Sequence, residues 1–273
     1  MLTSDQLSPA DAAILESFVL PKYLARFGEL ALDMLVSGPS ARVLHVGCRT
    51  GYPDLEIYER IDEVEILGID SSFAALDVAR QKATAVGDAP ILYRYADSLP
   101  GDLEPGMFTH ALCLHPLLPS GDRPELWSAL RWLLCAGGQA LVALPLRGSF
   151  QEVIDLLREY ALKYDEAEFA RQLEEHVGQC LSLETLSDEF EAAGFDDVDV
   201  EVRTFTLPFD SGRSFMEDPV SRLLILPELR GWLEVENMER PLAYVRDAID
   251  KYWSEGKLEL TVSIGCASAR CPQ

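Results

Sequence analysis

Val43-Leu44-His45-Val46-Gly47-Cys48-Arg49-Thr50-Gly51 runs from an apolar strand into a turn carrying two glycines, and Asp54–Arg60 beyond it has helical character. A strand that breaks into a glycine turn and reopens as a helix brings backbone amides against a nucleotide-like ligand. The next apolar strand, Glu65-Ile66-Leu67-Gly68-Ile69-Asp70, closes on an acid, the position from which a carboxylate reaches a ribose diol. A dinucleotide-binding turn would need glycine at 47, 49 and 52, but positions 49 and 52 are Arg49 and Tyr52. An oxidoreductase using NAD is therefore the disfavoured alternative.

Outward from this stretch the pattern alternates. Further strands are expected at Ile91–Ala96, Phe108–Leu114 and Gln139–Pro145, with helices at Phe73–Val86 and Pro124–Leu134 and an acidic turn over residues 101–106. Asp122 stands where a helix N-cap belongs, with Pro124 in the first turn. Upstream, residues 11–36 read as a helix broken or bent at Pro21 and ended by Gly38-Pro39. After Pro145 come helices at Phe150–Tyr164, Glu166–Val177 and Leu183–Ala193, a strand at Val198–Leu207, a mostly helical stretch over 211–255, and a last strand at Leu258–Ala267. Strands separated by helices specify parallel pairing with right-handed crossovers. The expected fold is α/β, a Rossmann-like seven-stranded mostly parallel sheet with helices on both faces, an antiparallel last strand and a helical insertion before it. It is read as one domain over 1–273. Its expected parts are a helical cover (1–40), a cofactor-binding core (41–147), the second half of the fold (148–210), an insertion or lid (211–256) and a final strand and tail (257–273).

Composition narrows the function. Lys and Arg number 23 against 46 Asp and Glu, a net charge of −23, so the basic face that nucleic-acid binding requires is missing. The same charge disfavours anionic membranes. The first residues have no cationic start before an apolar run, and Leu133–Leu146 is too short for a membrane span. The six cysteines (48, 113, 135, 180, 266 and 271) show no metal-ligand spacing, so no metal is expected and a cytoplasmic location suits them.

The chain resembles the class I S-adenosylmethionine (SAM)-dependent methyltransferases of the type 11-like, small-molecule group, over roughly residues 20 to 207. The acidic-x-Gly-x-Gly-x-Gly motif of that family reads here His45-x-Gly47-x-Arg49-x-Gly51. Its strand-two acid corresponds to Asp70, followed by Ser71; its Asp-small pair after strand three to Asp97-Ser98; its Leu-Lys-Pro-Gly-Gly turn to Leu134-Cys135-Ala136-Gly137-Gly138. The resemblance implies SAM as cofactor and a small-molecule acceptor methylated at oxygen or carbon. It implies contacts from His45, Gly47, Cys48, Arg49, Gly51, Ser71 and Leu114, ribose binding by Asp70, and adenine binding by Asp97 and Ser98. Without the resemblance, an Asp closing a strand is a turn or helix cap.

Three residues depart from the pattern: His45 for an acid, Arg49 for a glycine, and Thr109 for the Asp common near the start of strand four. Arg49 either clamps the carboxylate of the cofactor or fills the methionine pocket. The second possibility leaves a catalytically degenerate protein that keeps the fold as a binding or regulatory module. Methyl transfer from a sulfonium asks mainly for alignment and exclusion of water. If a base is needed, His115 at the carboxyl end of strand four is the candidate, against the plainer reading of a loop histidine bonded to backbone. His110 reads as structural and His176 as solvated. Tyr23 and Phe27 belong to the core or lie over the cofactor. Phe215, Leu224, Trp232, Tyr244 and Trp253 line an acceptor site or simply hold the insertion in place.

Overall fold

The computed structural model describes residues 7–38, 40–117, 120–232 and 238–273. Pro39 and the side chain of Trp232 lie outside the described residues. Seven strands form one sheet in the order β3-β2-β1-β4-β5-β7-β6. They are β1 (Arg42–Val46), β2 (Glu65–Asp70), β3 (Ile91–Tyr95), β4 (Phe108–Leu114), β5 (Leu134–Pro145), β6 (Asp196–Phe209) and β7 (Leu258–Arg270). The first five pair in parallel, and one cross-strand row sets Leu112, His45, Gly68 and Tyr93 side by side. The last strands run antiparallel, giving a Rossmann-like mixed sheet.

The chain divides into two compact units. The first comprises residues 1–144, 183–202 and 265–273; the second comprises 145–182 and 203–264. In the first unit α1 (Pro9–Ile14), α2 (Ala25–Met34), α3 (Asp54–Arg60), α4 (Phe73–Ala85), α5 (Arg123–Leu133) and α8 (Leu183–Ala192) accompany β1–β5. Helix α4 turns Ala75, Leu76, Ala79 and Ala83 inward, and the three alanines let it lie against β2 and β3. Trp127 of α5 is wholly buried; its indole N–H donates to Glu189 of α8 at 2.8 Å, while Arg123 forks onto the same carboxylate. In the second unit α6 (Gln151–Tyr164), α7 (Ala167–Gln179), α9 (Gly212–Glu217), α10 (Leu226–Trp232) and α11 (Glu239–Tyr252) form a helical cluster. Helix α11 buries Leu242, Val245, Ala248 and Ile249 and packs on α6 and α9.

The structure narrows one local expectation and corrects two. Of the break or bend expected at Pro21 the break does not occur: α1 continues as a π-helix, Leu15–Leu24, and then as α2. The wider turn accommodates a residue that has no N–H to donate. Asp122 precedes α5, yet its side chain makes no cap bond, because a short 3-10 turn leaves its backbone helical (φ −90°, ψ −12°) instead of extended. The Leu134–Gly138 segment is strand instead of turn. The tail draws it in: Gly137 N–H donates to the Cys271 carbonyl (2.9 Å), and Cys271 N–H to that of Gly138 (2.8 Å). No helix among the described residues is long and apolar enough to cross a membrane.

Candidate functional site

At the carboxyl end of β1 the chain turns through Gly47 (φ 65°), Arg49 (φ 48°) and Gly51 (φ 80°) before α3 begins. The turn is pinned by Cys48 N–H to the Ile69 carbonyl (3.1 Å) and Gly51 N–H to the Cys48 carbonyl (2.8 Å). Gly47 occupies the left-handed region that L side chains avoid. A Cβ there would meet no atom within 4 Å, so open space lies beside this peptide.

Asp70 ends β2 with 1 % exposure, and its two carboxylate oxygens accept the backbone N–H groups of Ser72 (2.7 Å) and Arg49 (2.9 Å). It thereby ties the β1 turn to the N-terminus of α4, where Ser72 is the N-cap. Ser71 beside it is buried.

Arg49, only 8 % exposed, aims its guanidinium at the end of β4, where Nη1 donates to the Leu114 carbonyl (2.8 Å) and Nη2 to that of His115 (2.7 Å). Leu114 thus meets Arg49 through its backbone. Among the described residues no carboxylate lies within ion-pair distance of this guanidinium. An almost fully buried cation without a counter-charge costs several kcal/mol in lost hydration. Its charge opposes the raising of the Cys48 thiol, which burial, Asp70 and Asp54 together push well above the usual cysteine range.

His115 has φ 48° and 1 % exposure. Its Nε2 lies 2.9 Å from the Tyr23 hydroxyl, and its ring stands edge-on to Tyr23 and Phe27 at 5.3 and 5.1 Å. Burial, reinforced by the Arg49 charge, lowers its pKa to about 3, so the ring is neutral and a weak proton acceptor near pH 7. As the general base expected from the sequence, His115 would be a weak one. Its carbonyl holds Arg49 and its ring holds Tyr23, so the geometry gives it a positioning part.

His45 donates or accepts through Nδ1 at 2.7 Å from Asp54 Oδ1, and the Tyr93 hydroxyl donates to Asp54 Oδ2 at 2.9 Å. Asp54 and His45 are buried. Tyr93 reaches them from β3 by crossing β2 at Gly68, where any Cβ would strike its ring. Four buried side-chain groups therefore meet at or next to the turn with something missing: the Arg49 charge, and the unpartnered His45 Nε2, Thr50 Oγ1 and His115 Nδ1. Buried polar atoms in native proteins are nearly always satisfied, so such a concentration marks a place completed from outside.

Asp97 and Ser98 lie beyond β3, exposed and bonded to each other (3.2 Å). Next to Asp70 the half-exposed Phe73 stacks flat on Tyr95, centroids 4.3 Å apart. Thr109 sits at the opposite end of the sheet, exchanging bonds with both backbone groups of Arg42. His110 bonds Thr109 and the Val36 carbonyl, as a structural residue does. His176, expected in solvent, is half-buried with its Nε2 3.2 Å from Cys180 Sγ. In the insertion Phe215 and Leu224 are buried within the second unit, and Tyr244 bonds Glu159. The reading from sequence missed Asp54 and Tyr93. The signal was the strand register that places Tyr93 beside Gly68 and His45.

No protein-family model and no curated protein matches the chain. Solved structures do. Phosphoethanolamine N-methyltransferase 2 of Haemonchus contortus, solved with phosphomonomethylethanolamine and S-adenosylhomocysteine, superposes over 100% of this chain with a TM-score of 0.60 and 16% identity. The fold is that of the class I SAM-dependent methyltransferases. The chain spans 60% of the length of that Haemonchus protein. The cyclase SpnF matches over 90% of this chain and 81% of its own, with a TM-score of 0.54 and 22% identity. YcgJ of Bacillus subtilis matches over 91% and 99%, with a TM-score of 0.56 and 13% identity. On this methyltransferase fold the β1 turn, Asp70 and Arg49 occupy the carboxyl edge of the parallel strands, where open α/β sheets bind ligands.

Proposed function

We propose that the chain binds SAM on the β1 turn and transfers its methyl group to a small-molecule acceptor at oxygen or carbon. One observation carries the reading: the buried guanidinium of Arg49 lacks a carboxylate, two residues from the open space beside Gly47. An amino-acid tail supplies the missing anion. Of the two parts the sequence allows Arg49, the clamp fits better than the plug, because a plug has no use for an uncompensated charge. The residues present suit the group: Arg49 for the carboxylate, the Gly47 peptide for close backbone approach, Asp70 for the ribose. Asp97-Ser98 stands at the edge that would take the adenine.

When bound, SAM supplies a methyl group already activated on a sulfonium. The side chains then have to align and to exclude water. Tyr23 and Phe27, both wholly buried, and His115 do the excluding. His115, a weak base here, favours acceptors that lose their proton without help. The small phosphorylated amine bound to the Haemonchus protein supports a small-molecule acceptor. The six free cysteines suit a reducing cytoplasm.

A second reading, a binding module that performs no transfer, draws on the same weak base and on the 1 % exposure of Asp70. Calorimetry with S-adenosylhomocysteine and, separately, NAD tests both. Binding of the homocysteine compound alone, weakened in Arg49→Met, is the expected result. No heat with either at millimolar concentration overturns cofactor binding. Binding without any SAM turnover across small hydroxyl- and carbon-acid acceptors favours the module.

A further inference from the structure

His176 and Cys180 stand one turn apart on α7, with the cysteine closing the helix as its C-cap. His176 Nε2 lies 3.2 Å from Cys180 Sγ, within hydrogen-bond reach of a sulfur, and both side chains are half-buried. A cation in the last turn of a helix gains from the macrodipole, so this imidazole holds a proton readily. The same dipole opposes a negative sulfur, and Arg147 offsets it. Its Nε and Nη2 donate to the Cys180 carbonyl (3.1 and 2.9 Å), and Nη2 donates also to that of Gly178 (3.0 Å). The acids that precede His176 on α7, Glu174 and Glu175, are bound by Arg158 and Arg171. The thiol thus has an imidazole bonded to it and a guanidinium on its own carbonyl, surroundings that favour the thiolate.

The other five cysteines are placed differently. Four are buried, and burial pushes Cys113 up to about 12 and raises Cys48 and Cys271 as well. Cys135 is half-buried like Cys180, but His45, His110 and His115 are engaged elsewhere, with Asp54, Val36 and Tyr23. We propose that Cys180 is a nucleophilic thiolate paired with His176, a modification site for hydroperoxides and other small soft electrophiles. In the peroxide reaction Sγ attacks one oxygen and the O–O bond breaks. The departing hydroxide takes the proton held by His176, which leaves a sulfenic acid on Cys180 and one water. Sulfur loses two electrons and the peroxide gains them. This site is independent of cofactor binding, because none of its residues belongs to the β1 turn.

The test treats the full chain with limiting iodoacetamide near pH 7 and follows the adduct on each cysteine by mass spectrometry. Cys180 is expected to react about tenfold faster than Cys135, because an ordinary thiol is only a few per cent thiolate at that pH. His176→Gln, which keeps a hydrogen-bonding amide but carries no charge, should bring Cys180 down to the rate of Cys135. The pH profile gives a readout that needs no variant. The Cys180 rate should hold nearly level from about pH 8 to pH 6, whereas that of Cys135 falls about tenfold per unit. Hydrogen peroxide followed by dimedone should place its adduct on Cys180. Equal rates in the parent chain, a preference that survives His176→Gln, or a Cys180 rate that falls with pH as steeply as that of Cys135 overturns the thiolate. Alkylation of Cys180 without a dimedone adduct overturns the peroxide step.

Discussion

The two ends of the parallel sheet treat buried polar side chains in opposite ways. At the amino-terminal end Gln139 is wholly buried and fully used: its Oε1 accepts the Val36 N–H at 3.0 Å, and its Nε2 donates to the Met34 carbonyl and the Ser268 hydroxyl, both at 2.8 Å. His110 nearby has both ring nitrogens engaged. At the carboxyl-terminal end Arg49 lacks a counter-ion, and His45, Thr50 and His115 each keep a buried atom without a partner. The same sheet, in the same interior, satisfies one set and not the other. Polar groups that serve only the fold are closed on themselves; polar groups that await a ligand stay open, and the fold bears their cost.

This contrast can be broken experimentally. Gln139→Leu should give the largest effect, lowering unfolding free energy by about 3 kcal/mol because three backbone and hydroxyl groups lose a buried partner, as read by urea denaturation; affinity for S-adenosylhomocysteine should not change. Arg49→Met should do the reverse. Affinity is expected to fall by about 2 kcal/mol, near thirtyfold by calorimetry, while the unliganded protein becomes no less stable, since a buried charge has been removed. A loss of stability there as large as that of Gln139→Leu would erase the distinction between the ends. Asp70→Ala spans both behaviours and should cost about 1–2 kcal/mol in stability through its two amide bonds, as well as weakening binding.

A further effect is read as a slope. His115 titrates near 6.5 when unfolded and about 3 when folded, so between those values the unfolded chain holds the extra proton. Its contribution to stability is complete above pH 6.5 and is lost as pH falls toward 3. Denaturation midpoints of His115→Gln should vary less over pH 6.5 to 4 than those of the parent. An unchanged slope would show that the ring is not buried as neutral imidazole.

Much of the fold was readable. Glu65–Asp70, Asp54–Arg60 and Phe108–Leu114 appear with the bounds expected, because an apolar run closed by an acid and an amphipathic stretch after a glycine turn leave few alternatives. The later strands were read short: β5 begins at Leu134 and β7 runs to Arg270 because each completes the other's ladder, a pairing between segments over a hundred residues apart. The site was half legible. Gly47, Arg49 and Asp70 stand together as local pattern suggested. That Arg49 would bond Leu114 and His115 rests on strand order, and the Tyr93–Asp54–His45 chain rests on a register that no local spacing reveals.

The Glu189 clasp on Arg123 and Trp127 has a consequence for how the molecule comes into being. The first unit is assembled from three separate stretches of chain, the last of them residues 265–273. An emerging polypeptide therefore cannot complete it until residues 265–273 have been made, and Trp127 stays without its carboxylate until residue 189 has left the ribosome. Such late closure makes for slow folding and a long interval with apolar strands uncovered. In a cell that interval, more than the finished protein, is where chaperones would be needed.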